Sequence, residues 1–206
     1  MEKPAAPGIA GGSTVAVGGR DLVVMSGPAG TGKTTICHAL PQRMGLLVST
    51  SATTRRPRPG EVDGRDYYFV TEEEFQRRVD AGRFVEWAEV FGRRYGTPVE
   101  ELARAAAAGM PLLLEIDVQG GIQIKKRYPE ALAILLLPPD AETQRDRLSK
   151  RGTETPEELQ RRFQKAQDEV RMARESGGYN FEVVNDDLEQ AIRDVVRIIL
   201  AWRTRK

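Results

Sequence analysis

Five short apolar segments punctuate the chain: Leu22–Ser26, Leu46–Ser49, Pro111–Ile116, Leu132–Leu137 and Phe181–Val184. Unbroken apolar runs of this length, bounded by polar residues, predict strands buried on both faces. Most stretches between them carry helix-like spacing. Strands alternating with helices predict an α/β fold with a parallel sheet covered on both sides. Two connections are too long for simple crossovers. The first runs from about Thr50 to Glu100 and contains a helix beginning at Thr71, where Thr71 and Glu74 have capping-box spacing. The second runs from about Asp140 to Arg171. There one helix stops at Gly152, and another starts with Thr155 as N-cap, Pro156 at the first helical position and Glu158 at the third. A last helix spans about Asp187 to Trp202, with Ile192, Val195, Val196 and Ile199 on one face. The first 19 residues are rich in Ala, Gly and Pro and read as a flexible tail. One domain then covers 20–206, with a core of 20–49, 101–139 and 172–206 and insertions at 50–100 and 140–171. Both insertions are expected at the carboxyl ends of the strands, where ligands of such sheets bind.

Composition removes several function classes. The chain has 206 residues, with 31 Lys and Arg against 30 Asp and Glu. A net charge of +1 gives no reason to expect nucleic acid or a membrane surface as partner. The longest apolar run, Ala131–Leu137, is far short of a membrane span. Cys37 is the only cysteine and His38 the only histidine, so no intrachain disulfide forms and zinc sites are excluded. Cys37 reads as a small core residue of a helix, and the chain as cytoplasmic. Arg outnumbers Lys by 24 to 7. That bias reflects either genomic GC content or a need for planar forks that grip phosphate.

Position brings in the chemistry. Gly27, Pro28, Ala29, Gly30, Thr31, Gly32, Lys33 and Thr34 match GxxxxGK[ST] in full, after an expected strand and before an expected helix. The glycines allow backbone N–H groups to turn inward around phosphate oxygens, and the helix N-terminus adds partial positive charge. Lys33 is placed to reach the β- and γ-phosphates and Thr34 to ligate Mg²⁺; the pattern is silent on the phosphate acceptor. Leu112–Asp117 (LLLEID) reads as a strand ending in Glu115 and Asp117. These acids either hold Mg²⁺ or its waters, or Asp117 caps a turn or helix; the sequence weighs the two equally. Between residues 51 and 97, Ser51, Arg55, Arg58, Glu61, Tyr67, Glu86, Tyr95 and Thr97 form a polar set whose plainest reading is a solvated surface loop. Thr97, followed by Pro98 and Glu100, also has N-cap spacing.

Five segments matching jointly say more. SATTRRPRPGEVDGRDYYFV, FVEWAEVFGRRYGT, LLLEIDVQG, RLSKRGTETPEELQRR and VVND, in that order, resemble the guanylate kinase family from about Asp21 to the C-terminus. The departures keep chemical class: Glu115 stands where some members have Asp, and Thr97 where some have Ser. The resemblance implies a P-loop NTPase fold with a five-stranded parallel sheet, a GMP-binding insertion (50–100) and a helical lid (140–171). It implies ATP-dependent phosphorylation of GMP, and of dGMP, in purine nucleotide metabolism, with Mg²⁺. By the same resemblance Ser51, Arg55, Arg58, Glu61, Tyr67, Glu86, Tyr95, Thr97 and Asp117 bind GMP. Gly27–Thr34, Thr35 and Asn185 bind ATP, with Asn185 near the adenine. Lys33, Arg147, Arg151 and Arg162 are catalytic, and Thr34, Glu115 and Asp117 serve the metal. The implied partners are ATP and GMP, with no nucleic acid and no membrane, in a monomer or homo-oligomer. The residue chemistry agrees: arginine forks suit a dianionic phosphate, and Glu86, an acceptor only, suits the guanine N1–H and N2–H donors. Two rivals remain. One is a non-catalytic interaction module of similar fold, which the complete Gly27–Thr34 loop opposes. The other is a kinase for another phosphorylated acceptor such as a ribose bisphosphate, which Glu86 and Ser51 oppose.

Overall fold

In chain order the elements are β1 (Leu22–Ser26), α1 (Lys33–Met44), β2 (Leu47–Val48), β3 (Ala52–Thr53), β4 (Tyr68–Phe69), α2 (Glu72–Asp80), β5 (Phe84–Val90), β6 (Arg93–Pro98), α3 (Val99–Ala108), β7 (Leu112–Glu115), α4 (Val118–Arg127), β8 (Leu132–Leu137), α5 (Ala141–Ser149), α6 (Pro156–Ser176), β9 (Phe181–Val184) and α7 (Leu188–Arg203). They belong to a computed structural model that describes residues 18–149 and 155–204. Residues 1–17 of the expected tail, Gly152 and Arg151 lie outside the described residues. Two compact units emerge, one holding residues 49–109 and the other residues 18–48 and 110–204.

The larger unit is built on a five-stranded sheet in the order β2-β7-β1-β8-β9, every pair parallel. The five apolar segments are these strands; two are trimmed by one residue at each end, to Leu47–Val48 and Leu112–Glu115. Every residue of β1 and β8 is buried, because helices cover both faces. On one face Val23, Met25, Ile134 and Leu136 pack with Ile36, Cys37 and Leu40 of α1 and with Ile192, Val195 and Ile199 of α7. Cys37 is a core residue, as expected, and burial pushes its thiol pKa up. On the other face Leu135 and Leu137 pack with Val118 of α4 and Ala173 of α6. α6 opens on the anticipated capping box, with Thr155 and Glu158 each bonding the other's backbone N–H. Asp187 caps α7 by accepting from the Gln190 N–H. Among the described residues no helix is long and apolar enough to cross a membrane.

The smaller unit holds a second sheet that the apolar pattern did not announce, in the order β4-β3-β6-β5. β3 runs parallel to β4 and antiparallel to β6, and β5 and β6 form an antiparallel hairpin. β3 and β4 are two residues each, too short to show any periodicity. The hairpin turns on Phe91 and Gly92, both at positive φ (52° and 69°), the geometry that a two-residue turn between right-twisted strands requires. Phe75 of α2 stacks on Phe84 with centroids 4.5 Å apart and anchors the helix on the sheet. Thr71 caps α2 by accepting from the Glu74 N–H. One expectation is corrected here. Thr97 does not cap α3; the helix starts one residue later, with Pro98 at the N-cap, and Thr97 belongs to β6.

Candidate active site

The phosphate loop leaves the centre of the sheet between β1 and α1. Gly27 is required by packing: a Cβ there would lie 2.4 Å from the Leu136 carbonyl oxygen of β8. Gly30 and Gly32 are required by conformation, with φ of 86° and 82°. α1 begins on Gly32 with no side-chain cap, so its first N–H groups are left for an anion. The loop carbonyls, by contrast, are held by neighbouring donors. Lys33 Nζ donates to Gly27 O (3.1 Å) and to Ile116 O (3.3 Å). Thr31 Oγ1 donates to Pro28 O (3.0 Å), Gln144 Nε2 to Ala29 O (3.0 Å) and Asn185 Nδ2 to Thr31 O (2.7 Å). An ammonium has three N–H groups, so Lys33 keeps one beyond its two carbonyls.

Around this loop the larger unit gathers several expected residues. Thr34 Oγ1 donates to Glu115 Oε1 at 2.6 Å, so a hydroxyl and a carboxylate meet at one point. Two hard oxygen donors suit Mg²⁺. Among the described residues no three His, Cys, Asp or Glu side chains gather, so such an ion would complete its shell with phosphate oxygens and water, as Mg²⁺ does beside nucleotides. Asp117 caps α4: its Oδ1 accepts from the Gly120 N–H (3.0 Å), and its carbonyl accepts from Ser26 Oγ (3.1 Å). Capping, one of the two readings open in the sequence, is thus present. Asn185 is buried, its Oδ1 has no hydrogen-bond partner among the described residues, and its carbonyl accepts from Arg147 NH1 (3.0 Å). Arg162 lies half-buried in the second turn of α6. Thr35 is exposed in the first turn of α1.

In the smaller unit the expected acceptor residues fall into two groups. Glu86 and Thr97 face each other across β5 and β6, next to a bulge that sets two residues of β5 against one of β6. Thr97 Oγ1 (2.6 Å) and the Thr97 N–H (3.0 Å) both donate to Glu86 Oε1; both residues are buried. The second group is Arg55, Glu61, Tyr67 and Tyr95. Arg55 NH1 and NH2 grip Glu61 Oε2 (3.0 Å) and Oε1 (2.8 Å), and the Arg58 N–H donates to Glu61 Oε2 (2.7 Å). These contacts hold the Glu61 carboxyl below its usual pKa, against a smaller opposing effect of burial. The Arg55 guanidinium loses from burial but gains more from Glu61 and the Tyr95 hydroxyl, so its pKa rises. It lies 5.3 Å from the Tyr67 ring centroid, and the Tyr67 and Tyr95 rings meet edge-to-face at 6.0 Å. Arg58 has an exposed side chain, and Ser51 is buried just before β3.

Comparison with known proteins fixes the family. A family description reading "Guanylate kinase" matches residues 19–202. The chain belongs to the guanylate kinase family. It is similar to the guanylate kinase of Caldanaerobacter subterraneus subsp. tengcongensis, 45% identical over 185 residues (89% of this chain, 88% of the relative), and to that of Symbiobacterium thermophilum, 44% identical over 185 residues (89% and 86%). It also resembles the crystal structure of guanylate kinase from Anaplasma phagocytophilum, with a TM-score of 0.73 and 31% identity over 90% of this chain and 86% of the other.

Four polar residues near the phosphate loop of this guanylate kinase family member escaped the sequence reading. Gln144, on α5, is fully buried and bonds the loop. Gln167 of α6 donates to Gln144 Oε1 (3.2 Å). Tyr179 packs its hydroxyl where a Cβ on Gly121 would stand, 2.3 Å from that point, and donates to Val118 O (3.4 Å); burial raises its pKa. Burial also raises the pKa of Glu169 on α6, against the attraction of Lys33. Only Gln144 left a trace in the sequence: it shares a helix face with Leu148, also buried, four residues on.

Proposed function

We propose that the chain transfers the γ-phosphoryl group of ATP to GMP, giving ADP and GDP. The observation that carries this reading is the intact phosphate loop, with its carbonyls taken by neighbouring donors, in a chain of the guanylate kinase family. A module that only bound partners would have no use for an uncapped helix start and a lysine at that loop.

In this reading the N–H groups of Ala29, Gly30 and Gly32 and the start of α1 cradle the ATP phosphates, and Lys33 adds its remaining N–H to the β- and γ-phosphates. Asn185 offers its unpartnered Oδ1 as acceptor to a nucleotide donor. Thr34 and Glu115 would hold Mg²⁺, with Asp117 nearby as a ligand of its waters. When bound, the ion offsets the negative charge of the phosphates. Glu86, fixed by Thr97, accepts from guanine N1–H and N2–H; adenine lacks the 2-amino donor, so the site rejects it by leaving groups unpaired. Ser51 serves the guanine O6 side, and Arg55, Arg58, Tyr67 and Tyr95 hold the GMP phosphate, with Glu61 orienting the arginines. A GMP phosphate oxygen then attacks the γ-phosphorus in line, a new O–P bond forms, and the bond to the ADP oxygen breaks. The nucleophile is already anionic, so no general base is required, and catalysis rests on position and charge. Arg147, Arg151 and Arg162 stabilise the transferring group. The buried thiol of Cys37 and the substrate pair suit the cytoplasm.

A coupled assay of ADP release with ATP, Mg²⁺ and each of GMP, dGMP, AMP, CMP and UMP tests the reading. Turnover with GMP far above AMP, CMP and UMP is expected; no GDP from GMP refutes it.

A further inference from the structure

Each trans peptide points its C=O and its N–H to opposite sides. A loop that aims N–H groups inward at phosphate must therefore aim the preceding carbonyls outward. Where they are shielded from water, those carbonyls need donors of their own. Pro28 O takes the Thr31 hydroxyl and Thr31 O takes Asn185, but Ala29 O takes its proton from another helix, through Gln144 of α5. Gln144 is 1% exposed and reaches the half-buried Ala29 from inside the fold. The same helix presses on the loop: a Cβ on Gly30 would lie 3.3 Å from both the Gln144 carbonyl and the Leu148 Cγ. Behind Gln144 stands Gln167, whose amide donates to Gln144 Oε1 at 3.2 Å. A relay of side-chain amides therefore joins α6 to α5 and α5 to the crest of the phosphate loop.

We infer that Gln144 is a positioning residue for ATP: by holding Ala29 O outward it fixes the inward aim of the Gly30 N–H, and Gln167 fixes the amide of Gln144. α6 also carries Arg162, so the relay ties the helix that bears this arginine to the loop that holds the phosphates. The inference rests on the ATP-binding role of the loop proposed above.

Gln144→Met keeps length and volume and removes both the donor to Ala29 and the acceptor for Gln167. The KM for ATP should rise about five- to tenfold, the net value of one buried hydrogen bond, while the KM for GMP stays within about twofold. The rise in melting temperature on adding ATP should shrink, and the rise on adding GMP should not. A general loosening would raise both KM values together. That result, or an unchanged KM for ATP, overturns the inference. If Gln144→Met does not fold, Gln167→Met, at an exposed position, decides, with an expected rise of about two- to threefold in the KM for ATP alone; no rise overturns the relay. If the wild type turns over no GMP, the functional reading fails, and the ATP-induced thermal shifts of wild type and variants still decide the role of Gln144.

Discussion

Glu86→Gln separates recognition from folding. In the wild type one carboxylate oxygen, Oε1, accepts both the hydroxyl and the N–H of Thr97. A glutamine placed with its amide oxygen at that position keeps both bonds and replaces the other oxygen by NH₂. The change is nearly isosteric, and Thr97, fully buried, keeps its acceptor. Stability should stay within about 1 kcal/mol, because both Thr97 donors keep their acceptor. Recognition fares differently. Guanine offers donors at N1 and N2, and the amide meets them with a donor. A hydrogen bond to a charged acceptor contributes about 1.5–3 kcal/mol, so the KM for GMP should rise about 10- to 150-fold. Adenine N1 is an acceptor that the new amide can meet, so the GMP:AMP ratio of kcat/KM should fall by at least that factor. Glu86→Ala is the contrast: it leaves the Thr97 hydroxyl and N–H unpaired and should lose about 1–3 kcal/mol of stability as well. The assay is steady-state turnover at saturating ATP against GMP and AMP, with urea melts of each variant. A folded Glu86→Gln protein whose KM for GMP moves less than about threefold would refute the reasoning.

Lys33→Ala should lower turnover by about 10²–10³-fold or more and leave GMP affinity within about twofold; retained kinase activity in the coupled assay counts against the role of Lys33. Gly27→Ala drives a Cβ to 2.4 Å from the Leu136 carbonyl, on a fully buried strand that has no flexible end to yield. It should cost about 1–3 kcal/mol or more in a urea melt; an unchanged midpoint would mean that β1 and β8 part freely. Glu61 titrates in the folded chain below its ordinary value of 4.5, chiefly through Arg55. Its share of stability is therefore complete above about pH 4.5 and is lost as pH falls through the lower, folded value. The difference in urea midpoint between wild type and Glu61→Gln should be flat at higher pH and shrink below about pH 4.5; a difference that grows on acidification has the wrong sign.

What the sequence disclosed depended on how local each cause is. β1 and β8 are legible because burial on both faces turns a strand into an apolar run, and α6 because Thr155, Pro156 and Glu158 carry its start within four residues. The phosphate loop is legible for the same reason, since its glycines and Lys33 act within one turn. β3 and β4 are not, because two residues carry no period and their pairing with β6 and with each other is decided by chain segments far apart. Thr97 was open to a capping role because its neighbours Pro98 and Glu100 are local signals; the bond to Glu86, eleven residues away across a hairpin, is not. Gln144 is a divided case. Its spacing to Leu148 hints at a buried face, but only the fold brings it to Ala29, 115 residues earlier.

On the proposed reading, the Arg55 contacts divide the work on the GMP phosphate. A guanidinium has five N–H groups. Two go to Glu61 and one to the Arg56 carbonyl at 2.7 Å, all from the NH1–NH2 side. The two that remain, on Nε and NH2, form a single edge. A phosphate therefore meets one fork of Arg55 rather than a freely turning cation, with Tyr95 beside it and the Tyr67 ring behind. The carboxylate that fixes this aim repels the incoming dianion, so its presence makes sense only if orientation outweighs charge. Glu61 also takes the Arg58 N–H, so one acid orders the chain at both arginines. Removing it would leave both positive charges in place and free them to wander, and the loss would fall on the geometry of the grip. On this reasoning Glu61, named as a GMP ligand by resemblance, acts through Arg55 and Arg58 and has no need to touch the nucleotide.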